Sequence, residues 1–190
     1  MYIQIIDGKL QLLGAYAIPL HLLALLILLL IATAVDVRER RIPNWLVATG
    51  MVIGTAFHAL APQGEGIGFA FYGLIVGIVA LFPLYALHAM GAGDVKLMGM
   101  IGAFLGTTGI LGVIFATMIA GGVLALGMAA CKRMLPQLLA NLHNMLFQRR
   151  GRQTGAAIVG TIAAVPSVGK MPYALAISVG TLIQLLVLRY

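Results

Sequence analysis

Two of the five acidic residues in this 190-residue chain stand at the ends of apolar runs. Asp36 closes the run in "IATAVDVRERRIPN", and Asp94 sits in "HAMGAGDVKLMGM", just after Gly91 and Gly93 and just before Lys96. Ionisable groups at a membrane edge are costly to desolvate and are usually paired or functional. A plain ion pair is open to each: Asp36 with Arg38 or Arg40, Asp94 with Lys96. The glycines argue for more. Gly91 and Gly93 remove side chains on either side of Ala92, so another backbone can come close. They also leave Asp94 at a helix N-terminus, where free N–H groups favour an anion. Two carboxylates brought together can share one proton. The ionised one activates a water, and the other donates its proton to a carbonyl or a leaving amine. Such a pair can hydrolyse a peptide bond without a metal or a serine or cysteine nucleophile. It can also carry protons in a small coupled transporter, and the carboxylates alone do not separate the two.

The elements that must position the pair follow from composition. Apolar residues make up 62% of the chain and charged residues only 9%, where a soluble domain runs near a quarter charged. Mean hydropathy is +1.06. The expected fold is therefore an all-α membrane protein of one domain. The formal net charge of +7 sits in short basic clusters between apolar runs, which marks cytoplasmic loops rather than a nucleic-acid surface. The single Cys131 excludes an internal disulfide and any CxxC metal site. Spans of roughly 20 residues are expected at about 16–35, 45–62, 67–89, 95–106, 109–131 and 171–188, giving a six-helix bundle. The first run lacks a basic flank before it, since Lys9 is offset by Asp7, and it is longer than a signal core. It reads as a retained span with its N-terminus outside.

The fourth span is short, and fusing it with the fifth is the obvious alternative. Charge decides against fusion. With six spans the inside loops hold Arg38, Arg40, Arg41, Lys96, Lys132, Arg133, Arg149, Arg150, Arg152 and Lys170, leaving Lys9 and Arg189 outside. Fusion would move the six basic residues from Lys132 to Lys170 outside, against the positive-inside rule. A turn is therefore expected at Gly106-Thr107-Thr108-Gly109. This topology puts Asp36 and Asp94 at similar depth on the inner face. Asp7 and Glu65 fall outside, and Glu39 lies in an Arg-rich loop.

The segment 134–147, "MLPQLLANLHNMLF", places Leu135, Leu138, Leu139, Leu142, Met145 and Leu146 on one helical face between basic flanks. It reads as an amphipathic helix in the inner interface, held by membrane lipid, or as a connector packed on the bundle. The run 156–165 is too short to cross.

The residues around both aspartates resemble the type IV prepilin peptidases. "GAGDVKLM", Gly91 to Met98, looks like that family's GxGDxKL motif, met by Gly91, Gly93, Asp94, Lys96 and Leu97. The family's other aspartate ends an earlier span a few residues before Ile-Pro-Asn, and here Asp36 precedes Ile42-Pro43-Asn44. The similarity covers about residues 20 to 130. It implies a membrane aspartic endopeptidase with Asp36 and Asp94 as the catalytic pair. It implies that prepilin or pilin-like precursors are cut at the cytoplasmic face of the inner membrane, with the substrate's apolar segment in the bilayer. No cofactor, no metal and no nucleic-acid partner are expected. Long members carry a cytoplasmic insertion with paired CxxC motifs, linked to N-methylation. Only eight residues separate Asp36 from Trp45 here, so the chain looks like the short form of Tad/Flp-type systems, without methyltransferase activity.

The other residues near the motifs have plainer roles. Lys96 would hold the charge of Asp94 or a lipid phosphate. Pro43 and Asn44 would shape the start of the second span. Pro172-Tyr173-Ala174 opens the last span on the inner side, beside the expected pair. His88 could line the site but reads better as structural, and His21, His58 and His143 show no metal spacing. The glycines of the fourth and fifth spans, including Gly99, Gly102 and Gly106, would permit close helix packing.

Overall fold

A computed structural model describes residues 3–6, 9–12, 16–87, 90–131 and 173–188. Five helices dominate it: α1 (Leu20–Glu39), α2 (Asn44–Leu60), α3 (Ile67–Ala86), α4 (Ala92–Cys131) and α5 (Tyr173–Leu188). The expected amphipathic helix at 134–147 and the run 156–165 lie outside the described residues.

The fold is all-helical as expected, apart from a small sheet ahead of the first helix. Strands β1 (Ile3–Ile6), β2 (Lys9–Leu12) and β3 (Tyr16–Pro19) form an antiparallel sheet, with Ile3 opposite Leu12 and Leu12 opposite Tyr16. The first span was expected from residue 16, but helix begins only at Leu20. Pro19 explains the delay: a proline biases the residue before it toward extended backbone, so Tyr16–Pro19 stays a strand. At its other end α1 stops at Arg40, which takes a left-handed conformation (φ 56°) and returns its N–H to the Asp36 carbonyl at 2.9 Å. Pro43, extended at φ −64°, then caps α2. Gly66 precedes α3 at φ +92°, which glycine adopts without steric cost.

α4 runs from Ala92 to Cys131 but is broken at Gly106 (φ 65°, ψ −171°). The residues facing each glycine show that the chain turns back there. In the first arm, Gly102 and Gly106 lie against Gly73, and the Met98 carbonyl against Gly77, so this arm is antiparallel to α3. Met100 fills the space beside Gly50 and Phe104 that beside Gly54, so it is parallel to α2. In the second arm, Gly112 faces Gln184, Thr117 faces Gly180 and Gly121 faces Ala176, antiparallel to α5. Near the start of α5, Ala174 bonds Asp36 and Ser178 bonds Thr33. Gly121 therefore lies near the level of Asp36, and so does Asp94, whose charge interacts with that of Asp36. An unbroken helix would hold Asp94 and Gly121 about 40 Å apart. The turn expected at residues 106–109 is thus made at the single residue Gly106.

Every residue from Leu97 to Gly106 is buried. A helix apolar all round belongs inside a bundle, and this short arm is the centre of this one. Leu25 and Leu28 of α1, Leu46 of α2 and Ile177 of α5 belong to the same core. Among lipid-like surroundings such packing, not exclusion of water, holds helices together, and small residues let backbones approach. The α3–α4 seam uses Gly73 and Gly102 for this, each occupying the space where the other's Cβ would stand.

Among the described residues, three helices are long and apolar enough to cross a membrane: Leu20–Glu39, Ile67–Ala86 and Ala92–Met128. The expected count of six spans is not supported. α2, with 17 residues, and α5, with 16, are apolar but short. They rise only about 24–26 Å at 1.5 Å per residue, against about 30 Å of hydrocarbon.

Candidate active site

Asp36 occupies the last turn of α1, and Asp94 the first turn of α4. They are only 6% and 8% exposed, among the few buried polar residues described. Apolar sequence on one side of each residue drives its helix into the bundle, and the helix end carries the carboxylate in with it. Their charges interact across the gap between the two helices. Arg40 adds a cation within electrostatic reach of Asp36.

Each carboxylate holds one main-chain N–H. Asp36 accepts from Ala174, 138 residues later in the chain, at 3.3 Å. Ala174 is the second residue of α5, where helix N–H groups have no partner of their own. Asp94 accepts from Gly91 at 3.2 Å, while its own N–H donates to the Gly91 carbonyl at 3.2 Å. This is half of a capping box: an acidic side chain three residues into the helix reaches back to the capping N–H. A helix N-terminus thus faces each carboxylate and favours negative charge there.

The remaining motif residues surround the pair differently from the simplest expectation. Lys96 does not hold Asp94; its Nζ donates to Asn44 Oδ1 at 3.0 Å and ties the start of α4 to the start of α2. A side chain at Gly93 would meet Ile42 at 3.3 Å, so this glycine lets the Ile42-Pro43-Asn44 segment close on the loop. A side chain at Gly91 would meet the Asp94 carboxylate at 3.2 Å. Pro43 caps α2 and accepts the Val47 N–H at 3.4 Å.

Two contributions come from Tyr173 and Ala174, which the sequence put beside the pair without assigning either a role there. The Ala174 N–H belongs to the main chain and could be anticipated only from the start of a helix nearby. Tyr173, half-buried beside it, lies within electrostatic reach of Asp94. His88 lies outside the described residues. His58 is at the other end of the bundle, where its Nε2–H donates to the Phe104 carbonyl at 3.0 Å and its Nδ1 accepts from Glu65 at 3.4 Å. His21 is stacked on Phe57 there, with ring centroids 4.2 Å apart. Among the described residues, no group of three or more His, Cys, Asp or Glu could hold a metal ion.

Two buried carboxylates at one end of a helix bundle, each steadied by a peptide N–H, can hold one proton between them and activate a water. Comparison with known proteins adds an independent line. The sequence model of the type IV leader peptidase family matches residues 23–126, a stretch holding both aspartates and all of Pro43, Asn44, Gly91, Gly93 and Lys96. Neither a curated protein nor a solved structure matches the chain.

Proposed function

The chain belongs to the type IV leader peptidase family, and we propose that it removes the leader from prepilin-type precursors with Asp36 and Asp94 as a proton-sharing pair. The observation that carries this reading is the burial of these two carboxylates together at one end of the bundle, their charges interacting. The ionised carboxylate takes a proton from water as the water oxygen attacks the scissile carbonyl carbon. The protonated partner gives its proton to the carbonyl oxygen, forming a neutral tetrahedral diol. On collapse, a diol hydroxyl returns its proton to the now ionised partner as the carbonyl reforms, the carbon–nitrogen bond breaks and the leaving amine takes the proton first drawn from water. The pair returns to one proton, ready for another turn. Asp36 and Asp94 perform general acid–base catalysis, with the main-chain N–H groups of Ala174 and Gly91 holding them in place. Gly91, Gly93, Pro43, Asn44 and Lys96 shape the loops around them.

The site faces the cytoplasm across the inner membrane in this reading. Arg38, Arg40, Arg41 and Lys96 lie at the same end as the pair, which the positive-inside rule puts inside. The amino end then lies outside, and membrane lipid surrounds the helices. A proton-coupled transporter is the weaker reading: such proteins hold their ionisable groups near the bilayer midplane, whereas Asp36 and Asp94 stand at helix ends. No methyltransferase activity is proposed.

The test is co-expression with a candidate prepilin, following the precursor on a gel. Processing by the wild type, and none by Asp36→Asn or by Asp94→Asn, is expected. Full processing by either variant removes the pair from the mechanism. If the wild type cuts no pilin-like precursor, the peptidase reading fails for this chain and a role in pilus assembly without catalysis gains ground.

A further inference from the structure

α1 and α5 run antiparallel, and an apolar groove of about 410 Å³ lies along their seam. Its walls include Leu26, Ile27 and Leu30 of α1 and Leu175, Val179 and Leu182 of α5. Leu30 is 73% exposed, and Ile27, Val179 and Leu182 are exposed too, so the groove opens toward lipid. Its inner end is polar. Thr33 and Ser178 share a hydrogen bond of 2.7 Å there, and the Thr33 hydroxyl also donates to the Ala174 carbonyl at 3.5 Å. The Ala174 N–H in turn donates to Asp36. A continuous set of contacts therefore joins the groove to the candidate catalytic pair.

We propose that this seam is the docking site for the apolar helical segment of the precursor, with the amino end of that helix at Thr33 and Ser178. The inference rests on the leader-peptidase reading. Three features select this occupant. A leader lies at the amino end of its precursor, so the bond to be cut precedes the apolar segment, and that segment must run from the pair outward, parallel to α5. Thr33 is three residues from Asp36, about 4.5 Å along the helix, so a helix beginning at Thr33 leaves the preceding residues to reach the pair as extended chain. The first turn of any helix also has free N–H groups, and the hydroxyl oxygens of Thr33 and Ser178 stand ready to accept from them. A lipid acyl chain offers no such donors. The groove along α1 from Leu26 to Thr33 takes about two helical turns; the rest of the segment would contact lipid. α5 lies beyond the stretch matched by the family model, so this surface is a property read from the chain itself.

The experiment uses the full chain in membranes with a precursor that the wild type cuts. A photo-reactive phenylalanine analogue is placed at Leu175, Leu30 or Leu182 in the Asp94→Asn background, and at Phe71 or Val79 on the exposed side of α3 as controls. Crosslinks to the precursor's apolar segment are expected from the first three positions only. Those from Leu182 should map about two helical turns further from the cleavage point than those from Leu175. Crosslinks from the groove to lipid alone, or to residues 156–165 of the same chain, overturn the proposal, as do equal yields from Phe71 and Val79. In the active chain, Leu30→Trp and Val179→Trp fill the groove from exposed positions and should raise the KM for precursor at least fivefold. Phe71→Trp and Val79→Trp should leave it unchanged. A wild type that cuts no precursor counts against the leader-peptidase reading. A wild type that cuts, with groove variants that cut equally well, counts against the groove alone.

Discussion

The main-chain N–H of Ala174 donates to Oδ2 of Asp36, joining the start of the last described helix to the end of the first. A hydrogen bond to a charged group contributes about 1.5–3 kcal/mol. Ala174→Pro removes the donor at a helix position where proline is tolerated. Precursor processing should slow about tenfold to a hundredfold while the protein still accumulates in the membrane. Processing at the wild-type rate would show that Asp36 does not depend on this bond.

Replacing Asp94 by asparagine keeps an oxygen that can accept the Gly91 N–H, so the loop and the helix start should survive. The proton-sharing chemistry should not. Asp94→Asn and Asp36→Asn should each lower processing at least a thousandfold, within the usual 10²–10⁴ scale of acid–base catalysis, with melting temperatures in detergent close to wild type. The wild type needs exactly one proton on the pair, so its rate should fall on both sides of a pH optimum. It falls on the acid side when both carboxylates are protonated and on the alkaline side when neither is. A rate that rises steadily with pH, without an alkaline fall, would argue against a shared proton.

Two glycines, Gly73 in the α3–α4 seam and Gly122 outside it, give opposite signs. A Cβ at Gly73 would collide with the Gly102 carbonyl and with the backbone of Gly106, neither of which can rotate away. Gly73→Val should destabilise by about 3 kcal/mol or more. Gly122 has nothing within 4 Å of its missing Cβ, so Gly122→Ala should be neutral or stabilise by about 0.5–1 kcal/mol. Unfolding of the two variants in the same detergent checks both.

His58 secures the break in α4. With the helix interrupted at Gly106, the Phe104 carbonyl takes the His58 Nε2–H. His58→Phe keeps the ring but removes this donor, and should cost about 1–3 kcal/mol. His58→Gln should recover part of the loss. Gly106→Ala should be worse than His58→Phe, because the Phe69 ring fills the place of a Cβ and φ is +65°.

Much of the site was legible because carboxylates are rare in apolar sequence. Charge counting placed Asp36 and Asp94 at one face, and it also required a turn near Gly106. The amino-terminal sheet was less legible, although Ile3-Gln4-Ile5 and Leu10-Gln11-Leu12 alternate with the two-residue period of a strand. The apolar run from Leu10 hid that alternation by continuing into α1. The Ala174 contact had no side-chain signature, because any non-proline residue supplies an N–H. Gly73 and Gly77 were silent for a related reason: a glycine does not name the backbone it approaches. The span count went astray because apolarity marks what avoids water, and the arm from Leu97 to Gly106 avoids water by lying inside the protein.

That enclosed arm has a consequence for how the membrane acts on the pair. α1 carries Asp36 and presents Ile27, Leu30 and Ile31 on the outer surface of the bundle; the first arm of α4 carries Asp94 and is surrounded by α1, α2, α3 and the rest of the bundle. A bilayer that thins or thickens tilts the helices it touches. It would therefore move Asp36 directly and Asp94 only through its neighbours. The hydrophobic thickness of the host membrane then becomes a quantity to which the spacing of the two carboxylates is sensitive.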